Sequence, residues 1–308
     1  MVPDLSVNIK NIIFKNPIMP ASGTFGYGLE FAPFFNLSEL GAVITKSLSL
    51  EPKKGAPPPR IAEINSGMIN AIGIENVGIK KFINDYLPEL KKYDTKIIVN
   101  IFGSSIEEFT KIIEIINKEN AIDAIEINIS CPNVKEGGIL FGTNASITYS
   151  LISIIKKNTP KMIITKLTPN DCNIIEIAKA AEEAGSDALS LINTFQALAI
   201  KIDRKKPSIG FGFGGLSGPC IKQIALRMVY LVSKSVKIPV IGIGGIKSIH
   251  DVIEFILAGA SAVQIGTYNF IDPIICPKLI KELRSYLKIN QLNSISELKN
   301  SLKFPKLS

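Results

Sequence analysis

PVIGIGGIKSIHDVIEFILAGASAVQIGT, residues 239–267, decides the fold. A short β-branched run at 239–243 (PVIGI) ends in a diglycine. An amphipathic segment at 249–260 (IHDVIEFILAGA) follows and closes on a glycine suited to a helix C′ cap, and a second apolar run at 262–266 (AVQIG) ends in glycine before Thr267. Strand, helix, strand in this spacing is the parallel crossover unit. Working outward, the same alternation places further strands at 17–22, 42–47, 96–102, 124–130, 162–168 and 188–193, with helical patterns such as IEEFTKIIEIINKE and IIEIAKAAEEAG between them. Eight such units closing on themselves predict an α/β fold, a (β/α)8 TIM barrel, rather than an open sheet. Residues 5–9 and 12–15 read as a hairpin that covers the bottom of the barrel. The segment from Leu48 to Asn76 is too long and proline-rich for a tight connection and is expected on the active face as an elaborated βα loop. With no linker, repeat or low-complexity tract, 1–308 is expected to be a single barrel domain.

The hydrophobic fraction of 46% against 20% charged residues supports a large core, and no apolar run approaches the length of a membrane span. Residues 1–10 lack signal-peptide character, so a cytoplasmic location without membrane contact is expected. Cys131, Cys172, Cys220 and Cys276 are far apart, and His250 is the one histidine, so neither a zinc site, an iron–sulfur cluster nor a Ser-His-Asp triad is expected, and no metal. The net charge of +8 comes from lysines dispersed singly or in pairs, without an aromatic-laced basic stripe, which reads as solvated surface rather than nucleic-acid binding.

Polar or glycine residues stand at the C-terminal end of nearly every candidate strand: Ser22, Lys46, Asn100, Asn128, Lys166, Asn193 with Thr194, Gly244 with Gly245, and Gly266 with Thr267. Barrel enzymes build their active sites at these ends. The glycines after strands seven and eight let backbone N–H groups approach a phosphate, or else simply make tight turns. Gly210–Gly215 formally matches a dinucleotide fingerprint, yet no acidic residue occurs between Asp203 and Asp251 to bind ribose, so no NAD site is expected here. Cys131, after the fourth strand in NISCPNVKEGG, reads as a reactive thiol under a lid at 132–142. Lys161, at the start of the fifth strand, is expected at the surface.

From Leu5 to the last helix the sequence resembles the dihydroorotate dehydrogenase family. The resemblance is carried by PASGTFGYG (20–28), ITKSLSLEPKKGAPPPR (44–60), MINAIGI (68–74), EINISCPNVKEGG (126–138), ITKLTPN (164–170), SLINT (190–194), GGLSGPCIK (214–222), IGIGGI (241–246) and AVQIGT (262–267). The sequence departs from the family pattern at Gln223, at Asp171-Cys172-Asn173 and in GFGF at 210–213, all outside the matched ligand positions.

The resemblance implies FMN held by Ser22, Lys46, Ser47, Asn100, Asn128, Lys166, Ile192, Gly218, Gly244, Gly245, Gly266 and Thr267. It implies dihydroorotate or orotate held by Lys46, Asn70, Ala71, Ile72, Gly73, Ile74, Asn128, Asn133, Asn193 and Thr194. Cys131 is expected to take the C5 proton as base, with Lys166 as an electrostatic catalyst beside the flavin. A thiol with a reference pKa of about 8.5 predicts activity rising from neutral to alkaline pH. The CPNVKEGG run resembles the class 1B form, implying a partner subunit with FAD and a [2Fe–2S] cluster that passes electrons to NAD+, two copies of each chain together. The alternatives are a class 1A enzyme using fumarate and another pyrimidine-directed FMN barrel, such as a dihydrouridine synthase.

Overall fold

A computed structural model of the chain describes residues 2–130, 141–170, 173–299 and 301–303. Eight strands, β1 (Ile18–Pro20), β2 (Ala42–Ile44), β3 (Lys96–Ile101), β4 (Ala124–Asn128), β5 (Met162–Lys166), β6 (Ala188–Leu191), β7 (Val240–Ile243) and β8 (Ala262–Ile265), form one sheet in the order β1-β8-β7-β6-β5-β4-β3-β2. Every paired neighbour runs parallel. Closure falls between β1 and β2, where the Gly41 N–H donates to the Ile18 carbonyl at 3.1 Å. Only glycine permits that approach, since a Cβ at Gly41 would stand 2.2 Å from the Asn16 carbonyl oxygen. The chain is therefore a (β/α)8 barrel, as its periodicity predicts.

Helices α1 (Ile106–Ile116), α2 (Ala145–Asn158), α3 (Ile174–Glu183), α4 (Lys222–Ser233), α5 (Ile249–Leu257) and α6 (Ile275–Ile289) follow β3 to β8 in turn. Gly185 and Gly259 follow α3 and α5 at positive φ, 98° and 108°, and Gly259 is the C′ glycine expected at the close of 249–260. The helix after β2 spans three contiguous pieces, Ile79–Lys81, a π turn at Phe82–Tyr86, and Leu87–Leu90. The first unit departs from expectation. Instead of an α-helix, β1 is followed by two 3-10 turns, Leu29–Phe31 and Leu37–Glu39. Pro33 lies between them and Asn36 caps the second through Ser38 N, so the backbone is re-started before a helix can propagate. Rings fill the space instead, with Phe25 and Phe31 stacked 4.0 Å apart.

Side chains alternate across each strand, and the inward set changes character with height. Near the N-terminal end it is apolar: Met19, Ala42, Ile44, Ile98, Ala124, Met162, Ile164, Ala188, Ile241 and Ala262 pack with Ile9 and Phe14. Ile9 and Phe14 come from the predicted hairpin, Val7–Ile9 paired with Ile12–Phe14, which plugs the bottom of the barrel. Two residues further along, the same strand faces carry Lys46, Asn100, Glu126, Lys166, Ser190 and Gln264. The outward set, including Val43, Val99, Ile125, Ile163, Leu189 and Val263, packs in the helical layer.

Above the C-terminal end lies a four-stranded antiparallel sheet in the order Phe195–Ala197, Gly214–Ser217, Gly67–Asn70, Ile61–Ile64. The segment 48–76 thus reaches the active face as expected, but as a hairpin paired across to the insertion after β6. Among the described residues no helix is long and apolar enough to cross a membrane.

Candidate active site

The polar end of the barrel and the overlying sheet enclose a cavity of about 320 Å³. Its lining includes Ser22, Lys46, Ser47, Asn70, Ala71, Ile72, Gly73, Ile74, Asn128, Lys166, Ile192, Asn193, Thr194, Gly218, Gly244, Gly245, Gly266 and Thr267. Cys131 and Asn133, with the rest of the lid segment up to residue 140, lie outside the described residues; Ser130, which directly precedes Cys131 in the chain, lines the cavity. Asn100 stands one step behind the wall, fully buried. The Ser47 hydroxyl donates to Asn100 Oδ1 at 2.5 Å and the Asn128 amide donates to Ser47 Oγ at 3.2 Å, so the three residues form a chain leading to the cavity surface.

One wall is an anion cradle. The turn after β7 places Gly244 at φ 133° and Gly245 at φ 70°; a Cβ at Gly245 would meet Lys222 Cβ at 2.8 Å and the Gly218 carbonyl oxygen at 2.9 Å. The tight turn therefore requires glycine there. Gly266 differs, because the nearest atom to a Cβ at that position is Ala21 Cβ at 3.8 Å. No atom of the described residues crowds it, so the missing side chain leaves open space in the cavity wall. The N–H groups of Gly244, Gly245, Gly266 and Thr267 donate to no acceptor among the described residues. Four unused amides beside open space are what a phosphate group requires. Ser217, not singled out from the sequence, accepts from the Thr267 hydroxyl at 2.8 Å and fixes its direction.

Other parts of the lining carry amides and the Lys46 ammonium. The loop 71–74 is tied down by Ala71 N–H to the Arg60 carbonyl at 2.8 Å and by Ala56 N–H to the Ile72 carbonyl at 2.9 Å. The Arg60 guanidinium clamps it from outside, donating to the Ala56 and Lys54 carbonyls and pairing with Glu75 at 2.6 Å. Gly73 at φ 73° lets the loop pass Ala56, whose backbone nitrogen would lie 2.4 Å from a Cβ. Asn170 holds the segment after β6, donating to the Thr194 carbonyl at 2.9 Å and accepting from Gln196 N–H at 3.0 Å. Burial holds the half-buried Lys46 ammonium below the ordinary lysine range, an effect partly opposed by Glu75.

Beneath the cavity lies a carboxylate that the sequence reading did not single out. Glu126, fully buried on β4, accepts from Asn100 Nδ2 at 2.6 Å, Ser190 Oγ at 2.8 Å and Gln264 Nε2 at 2.7 Å. The Lys166 ammonium stands 3.6 Å from its Oε1. The available signal was local: a charge in the apolar strand AIEIN, two residues before Asn128 and so on the same inward face. Lys161 departs from its expected surface position. It is half-buried at the opposite, N-terminal end of β5, and its ammonium donates to the Glu119 and Ile122 carbonyls at 2.9 and 2.8 Å.

A family model for dihydroorotate dehydrogenase matches residues 4–287. The chain is 51% identical over 300 residues to a protein of Geobacter metallireducens named dihydroorotate dehydrogenase B (NAD(+)), catalytic subunit, covering 97% of this chain and 98% of that protein. Proteins of the same name from Geotalea uraniireducens and Geobacillus sp. (strain WCH70) are 49% and 50% identical, covering 97% and 95% of this chain and 98% and 94% of their own. A crystal structure of DHODH from Eimeria tenella in complex with ferulenol superposes with a TM-score of 0.78 at 23% identity, covering 96% of this chain and 87% of that one, which establishes a shared fold. The barrel, the polar cavity at its C-terminal end and the near-full-length match agree: the chain belongs to the dihydroorotate dehydrogenase family.

Proposed function

We propose that this chain is a single FMN-binding barrel domain and the catalytic subunit of a cytoplasmic, NAD+-linked dihydroorotate dehydrogenase, oxidising (S)-dihydroorotate to orotate in de novo pyrimidine biosynthesis. The observation that carries the reading is the cavity itself. It brings an amide cradle suited to a phosphate together with asparagine side chains and the ammonium groups of Lys46 and Lys166, within a single space of about 320 Å³.

The residues present fit FMN. Gly244, Gly245, Gly266 and Thr267 would hold the phosphate through their N–H groups. Ser22, Ser47, Asn128, Ile192 and Gly218 would contact the rest of the cofactor, with Asn100 bracing Ser47 from behind. Lys166 would bring a positive charge to the pyrimidine side of the flavin, where charge accumulates on reduction. FMN, when bound, supplies the acceptor for the hydride that leaves C6 of dihydroorotate.

On the substrate side, Asn70, Asn128, Asn133 and Asn193 offer paired donors and acceptors to the edge of a flat pyrimidine ring. Lys46 addresses the carboxylate, and Ala71 to Ile74 with Thr194 shape the pocket. The Cys131 thiolate takes the proton from C5; the C6–H bond breaks with its electron pair, and a C5=C6 double bond forms, so proton and electrons balance. The words NAD(+) and catalytic subunit in the names of relatives near 50% identity support onward electron transfer through a second chain. That chain would carry FAD and a [2Fe–2S] cluster, assembled as two copies of each subunit.

The test is direct. Purified protein should be yellow, release stoichiometric FMN on denaturation, and bleach anaerobically on addition of dihydroorotate while orotate appears. Colourless protein that takes up no FMN, or bound flavin that dihydroorotate leaves oxidised, refutes the reading.

A further inference from the structure

We infer that Glu126 is a positioning residue that holds the Lys166 ammonium in place at the cavity floor; this rests on the reading that Lys166 meets the flavin. Lys166 is 4% exposed and Glu126 is wholly buried. An ammonium removed from water is costly unless a negative charge stands near to hold it. Among the described residues Glu126 is the carboxylate within ion-pair distance of Lys166, at 3.6 Å.

The register explains why the pair meets. Lys166 lies beside Asn128, and Glu126 beside Ile164, so the carboxylate sits one inward step below the ammonium on the neighbouring strand. Ser190, level with Lys166 on β6, and Asn100, level with Glu126 on β3, then reach the carboxylate from either side. Gln264 closes the ring from β8, across the barrel. Both carboxylate oxygens are engaged by N–H and O–H donors, an arrangement that suits an acceptor-only group and pins it against rotation.

The ring is not what stability alone would select. A buried ion pair replaced by apolar side chains is commonly neutral or stabilising, because desolvation offsets much of the attraction. Gln264 turns its N–H toward Glu126, and its own buried Oε1 meets no donor among the described residues. From Glu126 one arm leads to Lys166 and the other, through Asn100 and Ser47, to Asn128 at the cavity wall. One carboxylate thereby sets the direction of two groups that line the cavity.

The test reads the reduction potential of bound FMN, with FMN affinity of the apoprotein and thermal midpoint beside it. Glu126→Gln removes the counter-charge that holds the ammonium, so Lys166 loses its place and positive charge at the flavin falls. The expected shift is about tenfold toward oxidised flavin, a potential about 30 mV lower for a two-electron couple. Lys166→Met should shift it the same way by at least as much. The double variant E126Q/K166M, which carries no unpaired buried charge, should match Lys166→Met alone, because Glu126 acts through the lysine.

A Glu126→Gln protein whose potential equals or exceeds that of the unmodified protein, beside a shifted Lys166→Met, overturns the inference. So does a tenfold difference between Lys166→Met and the double variant, and this comparison decides the matter if Glu126→Gln alone does not fold. Failure of the underlying reading looks different: apoprotein that binds no FMN, or Lys166→Met with unchanged potential, overturns the placement of Lys166 and the inference with it.

Discussion

Lys46→Met tests the substrate side of the cavity. Methionine keeps the apolar stem and removes the charge that would meet the orotate carboxylate. A hydrogen bond to a charged group contributes about 1.5–3 kcal/mol, so orotate affinity should fall roughly 10- to 150-fold. Burial lowers the pKa of Lys46, and that fixes the pH behaviour. Below its folded pKa both folded and unfolded chains hold the proton, and the folded chain bears the whole desolvation cost. As pH rises from the folded pKa toward the ordinary lysine value, the folded chain sheds the proton first and the cost lifts. Lys46→Met should therefore leave the thermal midpoint at neutral pH unchanged or slightly higher. An anion bound at Lys46 raises its pKa again. Orotate affinity should accordingly be flat at low pH and fall up to tenfold per pH unit once pH exceeds the lysine pKa of the unliganded protein. The assay is a flavin-absorbance titration with orotate across pH in a Cys131→Ala background, which removes the thiol from the titration. In that background Lys46→Met should bind weakly at all pH values. Tight binding by Lys46→Met, or an alkaline fall that persists without the lysine, refutes the assignment.

Cys131→Ala should retain FMN and orotate while flavin reduction by dihydroorotate slows roughly 100-fold or more, measured by anaerobic stopped flow; near-normal reduction removes the thiol as base. Lys166→Ala should impair flavin reduction or retention far more than Lys161→Ala. The latter frees two carbonyls at the far end of the barrel and should instead lower the thermal midpoint; equal effects on the flavin would contradict the placement of Lys166. The chain alone should reduce artificial dyes but scarcely reduce NAD+, with turnover restored by an FAD- and [2Fe–2S]-bearing partner. Robust NAD+ reduction by the isolated chain argues against the partner, and efficient fumarate reduction without one points to the class 1A alternative.

The barrel is legible in the sequence because each unit is local: a β-branched run, a 3.6-residue periodicity and a glycine stop fall within about 30 residues of one another. The failures have equally local causes. Strand ends drawn at Ser22, Ser47 and Thr168 overshoot, since the ladders stop at Pro20, Ile44 and Lys166 and the polar tips turn into loops. The first helix fails at Pro33, whose breaking effect outweighs the apolar content around it.

The sheet over the cavity shows the limit of local reading. Gly67–Asn70 pairs with Gly214–Ser217, and Asn70 Nδ2 reaches the Gly215 carbonyl across 145 residues of sequence; no periodicity reports such a partnership. The glycines of GFGFGG nevertheless held the clue. A Cβ at Gly214 would stand 2.6 Å from the Asn70 carbonyl oxygen, and one at Gly215 would stand 2.1 Å from Thr194 Oγ1. What reads in isolation as a failed dinucleotide fingerprint is two close backbone approaches, and these hold the Asn70 and Thr194 segments against one another. Glu126 was missed for the opposite reason. Strand ends mark the cavity surface, whereas a buried charge one inward step lower stands out only when the period of two is carried along the strand as well as across it. In a barrel whose lower inward layer is apolar, a charged residue two positions before a cavity-lining asparagine has few places to direct its charge except upward, toward the group it serves.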